Sequence, residues 1–183
     1  YGVYYTSSNY VKSYNNSVNV TDGNSSYGYA AYTTNGSNIE FKNNILANTK
    51  TSGGKALYTN STSNISVCDY NDLFTKGSYL AYWGGNRTNL SALQSYTGKD
   101  QNSVSVDPYF AADTNLHSYS QYCNDAGTPI AEITTDIDGE ARDATNPDIG
   151  ADEYTIVPLE GIYTIGGLNP DYETIAEAVF DLK

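Results

Sequence analysis

Any chemistry done by this chain must come from a short list of side chains. Asp69 and Asp72 lie close together in a strand-like segment, and hydrolysis of a glycosidic bond requires paired carboxylates facing one groove. Lys42, Lys50, Lys55 and Arg87 are the bases available for abstracting a proton beside a carboxylate, the step of a polysaccharide lyase, in which calcium or arginine neutralises the anion. None of the four falls in a recurring carboxylate-rich segment, so no catalytic constellation is legible. His117 is the single histidine and is expected to pack in the C-terminal cap rather than to act as a base. Cys68 and Cys123 lack the close spacing of a zinc or redox site and are expected to be buried free thiols, with a disulfide between them as the alternative.

Two further groups could bind rather than react. Asp136 and Asp138, followed by Gly139, suit a tight turn and are also calcium candidates. The twelve-residue EF-hand pattern is absent, because no Glu occupies its last position. Tyr82 and Trp83 stand where a regular pattern gives way to an irregular one, the expected place for a groove. Aromatic faces stack on sugar rings while amides and hydroxyls hydrogen-bond to them, so this pair is the candidate glycan contact; core packing is the alternative for Trp83.

The elements that must position these groups follow from repeats. Tyr1-Gly-Val-Tyr-Tyr5 returns as Tyr27-Gly-Tyr-Ala-Ala31, then more loosely as Lys55-Ala-Leu-Tyr58 and Tyr79-Leu-Ala-Tyr82. Between them Val11-Lys-Ser-Tyr-Asn-Asn16 recurs as Ile39-Glu-Phe-Lys-Asn-Asn44 and Ser66-Val-Cys-Asp-Tyr-Asn71. The final asparagines, Asn16, Asn44 and Asn71, are almost evenly spaced. Each unit holds two or three short strands joined by Asn, Gly, Ser and Thr turns, and none has the apolar residues to bury a face alone. Stacked units would share one core, which predicts an all-β, right-handed parallel β-helix (a solenoid). Asn16, Asn44 and Asn71 would then form a side-chain amide ladder.

Composition agrees with strands. Tyr occurs 19 times, Met is absent, and 9 Lys+Arg against 21 Asp+Glu give a net charge of −12. So acidic a surface repels nucleic acid and anionic membrane, and no segment reads as a membrane span. With no initiator methionine or leader, the chain is expected to begin inside a larger polypeptide.

After Tyr79 the period breaks. Thr88 to Tyr96 reads as a short helix with Thr88 as its cap, Leu90 and Leu93 as its apolar residues and Gly98 as its stop. An open solenoid must be capped, and Asp136, Asp138, Gly139, Arg142 and Asp148 are the expected cap residues, with the Arg142 fork clamping the Asp148 carboxylate. The ordered run Trp83, Thr88-Asn-Leu, Gln94, Gly98, Val106-Asp-Pro-Tyr-Phe110, Asp125-Ala-Gly127, Asp138-Gly-x-x-Arg142 and Asp148-Ile-Gly-Ala-x-Glu153 resembles the end of the pectate-lyase-like right-handed β-helix proteins. That family occurs in large secreted bacterial surface polypeptides, many exported by the type IX secretion system. The resemblance spans about residues 1–154 and implies the fold; it leaves open whether such a chain is a lyase, a hydrolase, a binder or a stalk.

Residues 1–154 are thus expected to form the last rungs and cap of a β-helix, 155–160 a linker, and 161–183 a strand and helix opening a second block. The helix is expected to span Asp171 to Lys183, with Asp171 as N-cap and apolar residues at 172, 175, 176, 179 and 182. The expected function is a non-catalytic structural or adhesive module of a secreted, cell-surface or fibre-forming protein that contacts glycans, with a polysaccharide lyase or glycoside hydrolase as the alternative. Expected partners are further blocks of the same chain, extracellular polysaccharide or neighbouring subunits. Nucleic acid and membrane insertion are not expected, and no cofactor is, calcium apart.

Overall fold

The computed structural model describes residues 1–22, 27–50, 53–156 and 161–181. Part of the expected linker (157–160) and the end of the expected last helix (182–183) lie outside them.

The repeat units lie side by side. One sheet runs β1 (Val3–Thr6), β4 (Tyr29–Thr34), β7 (Lys55–Thr59), β10 (Ala81–Trp83) and β11 (Asn86–Arg87) in that order. A second joins β2 (Lys12–Tyr14), β5 (Ile39–Lys42) and β8 (Ile65–Asp69), and a third joins β3 (Ser17–Val20), β6 (Ile45–Asn48) and β9 (Asp72–Thr75). Every pairing between repeats is parallel. Val3 faces Ala31, Lys12 faces Glu40 and Ser17 faces Ile45, each the equivalent position one repeat further on. In the same way Phe41 faces Cys68 and Ile45 faces Asp72.

The core lies between these sheets. Ala31, Ile39, Phe41, Leu46, Leu57, Ile65, Leu73, Ala81 and Trp83 interdigitate there, essentially inaccessible to water. The alternation of β5, buried at Ile39 and Phe41 and half-exposed at Glu40 and Lys42, is what a one-sided strand requires.

The expectation of a right-handed parallel β-helix is corrected by this topology. The sheets are short, two to five strands each, and no closed helical coil is formed. Gly84 and Gly85, both at positive φ, turn the chain so that β11 runs antiparallel to β10 and ends the first sheet. The third sheet gains after β9 only an isolated bridge from Asp72 to Val104. Beyond that the strands are an antiparallel hairpin, β12 (Phe110–Ala112) with β13 (Asn115–Ser118), followed by turns. Among the described residues, the architecture is a mostly-β assembly of short parallel and mixed sheets with two helices.

Both helices start later than expected. Helix α1 spans Leu90–Thr97, and its cap is Asn89, whose Oδ1 accepts the Ala92 N–H at 2.9 Å. Gly98, at φ 68°, closes it through a hydrogen bond to the Gln94 carbonyl. Helix α2 spans Ile175–Asp181. Asp171 is spent on the Thr164 N–H and hydroxyl, so Thr174 caps the helix. Its hydroxyl accepts the Glu177 N–H while the Glu177 carboxylate accepts the Thr174 N–H, a reciprocal capping box.

Candidate functional site

The most regular surface feature is a column of tyrosines on the first sheet. Tyr4, Tyr32, Tyr58 and Tyr82 occupy matching positions of β1, β4, β7 and β10. Their ring centroids are 5.0, 4.5 and 4.8 Å apart, with interplanar angles of 8°, 6° and 11°. These spacings are those of neighbouring strands, so the backbone sets the stack. Tyr1 packs edge-on to Tyr4, and Tyr29 fills in behind Tyr32 and Tyr58. The Lys55 ammonium stands 5.7 Å from the Tyr29 ring centre and 5.8 Å from that of Tyr79. Because each ring covers its neighbour, the column presents edges and hydroxyls rather than open faces.

Of the two expected glycan contacts, Tyr82 belongs to this column. Trp83 does not, since side chains alternate along a strand: it points inward and is 1% exposed.

Asn16, Asn44 and Asn71 lie in register at the bends between the second and third sheets. Asn16 Nδ2 donates to Asn44 Oδ1 at 2.8 Å, and Asn44 Nδ2 donates to Asn71 Oδ1 at 3.0 Å. The row ends where the Asn71 N–H donates to Ser103 Oγ, which itself donates to Asp100. Asn44 and Asn71 are fully buried, so their amides hold the bends and meet no ligand. The residues just before them, Asn15, Asn43 and Tyr70, adopt left-handed φ of 49°, 53° and 55°. Asn43 also exchanges hydrogen bonds with the backbone of Thr128, and its carbonyl accepts the Gly150 N–H. The later part of the chain is fastened to the repeats there. The Asn-Asn doublets at 15–16 and 43–44 were the available signal for this first asparagine.

The residues expected to form a cap lie in the turns that follow β13. Asp136 accepts the N–H groups of Asp138, Glu140 and Glu153. Burial works against its charge, but these donors and nearby Arg142 hold its pKa below the usual carboxylate range. With its oxygens so engaged, Asp136 is poorly disposed to hold calcium beside Asp138. Gly139 takes φ 88° at the turn.

Arg142 corrects one expectation. Its guanidinium reaches Asp148 only through the carbonyl, and also donates to the carbonyls of Gly150 and Asp152. Its carboxylate partner is Glu153, at 3.2 Å, with both side chains largely buried. The Asp148 carboxylate instead accepts the N–H groups of Asp125 and Tyr154, and burial pushes its pKa up to about 7.

His117, on β13, does not pack inward. Its Nε2 lies 2.6 Å from the Asp138 carboxylate and 3.8 Å from that of Asp152, and its Nδ1 contacts Asn115 Oδ1. His117, Asp138 and Asp152 are the one cluster among the described residues that could hold a metal ion.

The catalytic candidates do not assemble. Asp72 is fully buried, while Asp69 is engaged by the backbone and side chain of Asn102. Lys50 is buried, Lys42 lies by Tyr14, and Arg87 stacks on Tyr96 with its guanidinium 3.5 Å from the ring centre. Cys68 and Cys123 are buried free thiols. Among the described residues, no helix is long and apolar enough to cross a membrane.

No family model significantly matches this chain, nor does any curated protein or solved structure. Nothing in these comparisons identifies a pectate-lyase-like family.

Proposed function

We propose that this chain is a non-catalytic structural or adhesive module of an extracellular, cell-surface protein, contacting polysaccharide through its tyrosine column. The supporting observation is the column itself: four rings in near-parallel stack at 4.5–5.0 Å, fixed by strand spacing. Among the described residues, no hydrogen bond engages the hydroxyls of Tyr4, Tyr32, Tyr58 or Tyr82. A row of hydroxyls that both donate and accept suits a chain of sugar hydroxyls. Contact is through the row, since the ring faces are taken. The net charge of −12 favours a neutral polysaccharide over an anionic one. The dispersal of the candidate bases and carboxylates supports binding over lyase or hydrolase chemistry.

The test is sedimentation of the protein with cellulose, galactomannan and amylopectin, comparing wild type with the triple variant Tyr32→Phe, Tyr58→Phe, Tyr82→Phe. Phe keeps the stack and deletes only the hydroxyls. At about 0.5–1.5 kcal/mol per hydrogen bond, the triple variant should bind at least about tenfold more weakly. Binding to none of the three, or equal binding by the variant, would refute the reading.

A further inference from the structure

We propose that His117, Asp138 and Asp152 form a site for a divalent transition-metal ion, with zinc the best match. The three residues come from separate segments: β13, the turn at Gly139 and the stretch after Gly150. One ligand atom from each lies within 4.8 Å of the others. Zinc bonds of ~2.1 Å to nitrogen and oxygen place ligand atoms roughly 3.4 Å apart in a tetrahedral site. The observed separations of 2.6 Å from His117 to Asp138 and 3.8 Å from His117 to Asp152 straddle that value. Small side-chain rotations would centre an ion among them.

A group of carboxylates alone would not carry this. His117 adds an imidazole nitrogen to them, and Asp152 is the less exposed of the two carboxylates, its side chain 11% accessible against 54% for Asp138. The His117 ring, at 3.8 Å, is beyond hydrogen-bond distance. Arg142, the nearby fixed cation, is paired with Glu153 and touches Asp152 only through the carbonyl. Both carboxylates share one positive partner, the His117 imidazole, whose place an ion seated among the three would take.

The surroundings also suit a metal. Ligating histidines almost always give their other ring N–H to an oxygen, and Asn115 Oδ1 stands at His117 Nδ1, so Nε2, the nitrogen hydrogen-bonded to Asp138, is the one that would turn to an ion. The Asp138 N–H is held by Asp136, and the Asp152 carbonyl by Arg142, so both carboxylates hang from fixed backbone. An imidazole ligand selects zinc, cobalt, nickel or copper over calcium, which takes six to eight oxygens. With only three protein ligands, the fourth position would be left to water or to a group from outside.

The experiment is calorimetric titration of the full chain with Zn²⁺, with Co²⁺ absorbance as a second readout. Wild type, His117→Gln and Asp152→Asn are compared, and the wild-type titration is repeated in excess Ca²⁺. The expected result is one Zn²⁺ per chain, a tetrahedral Co²⁺ spectrum, at least tenfold weaker binding in each variant and no displacement by Ca²⁺. His117 is exposed enough that its variant should fold even if that of Asp152 does not. Absence of saturable Zn²⁺ binding, binding unchanged by His117→Gln, or equal competition by Ca²⁺ would each overturn the proposal.

Discussion

Asp72 offers the sharpest test of how this fold is held together. Its side chain sits at the start of β9 with no exposed surface. Oδ1 accepts the Val106 N–H at 3.0 Å, while Oδ2 makes no hydrogen bond of normal geometry. Burial is the chief reason its pKa rises from the ordinary 3.8 to about 8, with the Val106 N–H and the nearby Cys123 thiol opposing. In the folded protein the group is therefore a neutral acid near pH 7; in the unfolded chain it ionises near ~3.9. A raised folded pKa gives stability that is complete below the unfolded value and is lost as pH rises through the folded one. The window is thus pH ~4 to 8, with a limiting slope of ~1.4 kcal/mol per pH unit. Asp72→Asn keeps the shape and the Val106 hydrogen bond but cannot ionise. Asp100 and Asp148, raised to about 6 and about 7, titrate in the same window. The informative quantity is therefore the difference between variant and wild type, measured by urea unfolding at pH 5, 6.5 and 8. That difference should move in favour of Asp72→Asn by roughly 2–4 kcal/mol between pH 5 and 8. A difference constant to within ~0.5 kcal/mol would show that Asp72 is ionised in the fold, and the reasoning would fail.

Two other perturbations probe the joints. Asn44→Ala removes the acceptor for the Asn16 N–H and amide, along with the donor to Asn71 and the Ser13 carbonyl. Several buried groups are left unpaired, so urea unfolding should show a loss of about 3–5 kcal/mol. Arg142→Met leaves the Glu153 carboxylate only the N–H groups of Asp143 and Asp148 and takes a donor from three carbonyls. It should cost about 3–5 kcal/mol by thermal unfolding, whereas Asp148→Asn, which leaves that ion pair intact, should cost less.

Much of the first half of the chain can be read directly. The recurrence that sets Asn16, Asn44 and Asn71 apart is the actual register of the parallel pairs, because equivalent residues of neighbouring units lie opposite one another. The asparagine row was legible for the same reason. The tyrosine echo was aligned less well. Matching Tyr1–Tyr5 to Tyr27–Ala31 would set Val3 opposite Tyr29, whereas Val3 in fact faces Ala31. The slip is even, so the outward face was preserved while the true partner of Tyr4, Tyr32, was passed over. Tyr58 and Tyr82 pair as their echo suggests.

The chain beyond Tyr82 was legible only in fragments. Repeated strands suggested a continuous coil, but whether a parallel series continues depends on where the next segment docks, and the Gly84–Gly85 reversal sends it back along its own sheet. Arg142 could be recognised as a clamp from its neighbours in sequence. Which carboxylate it takes depends on backbone path, since the N–H groups of Asp125 and Tyr154 reach Asp148 first and leave Glu153 for the guanidinium. No local pattern joins His117 to Asp138 and Asp152, because long stretches of turning chain separate them in order. What the sequence determined by itself is periodic and local: strand positions, outward and inward faces, and the recurring asparagines. The tertiary structure alone decided which buried charges meet, because that depends on distances between segments with no fixed spacing along the chain.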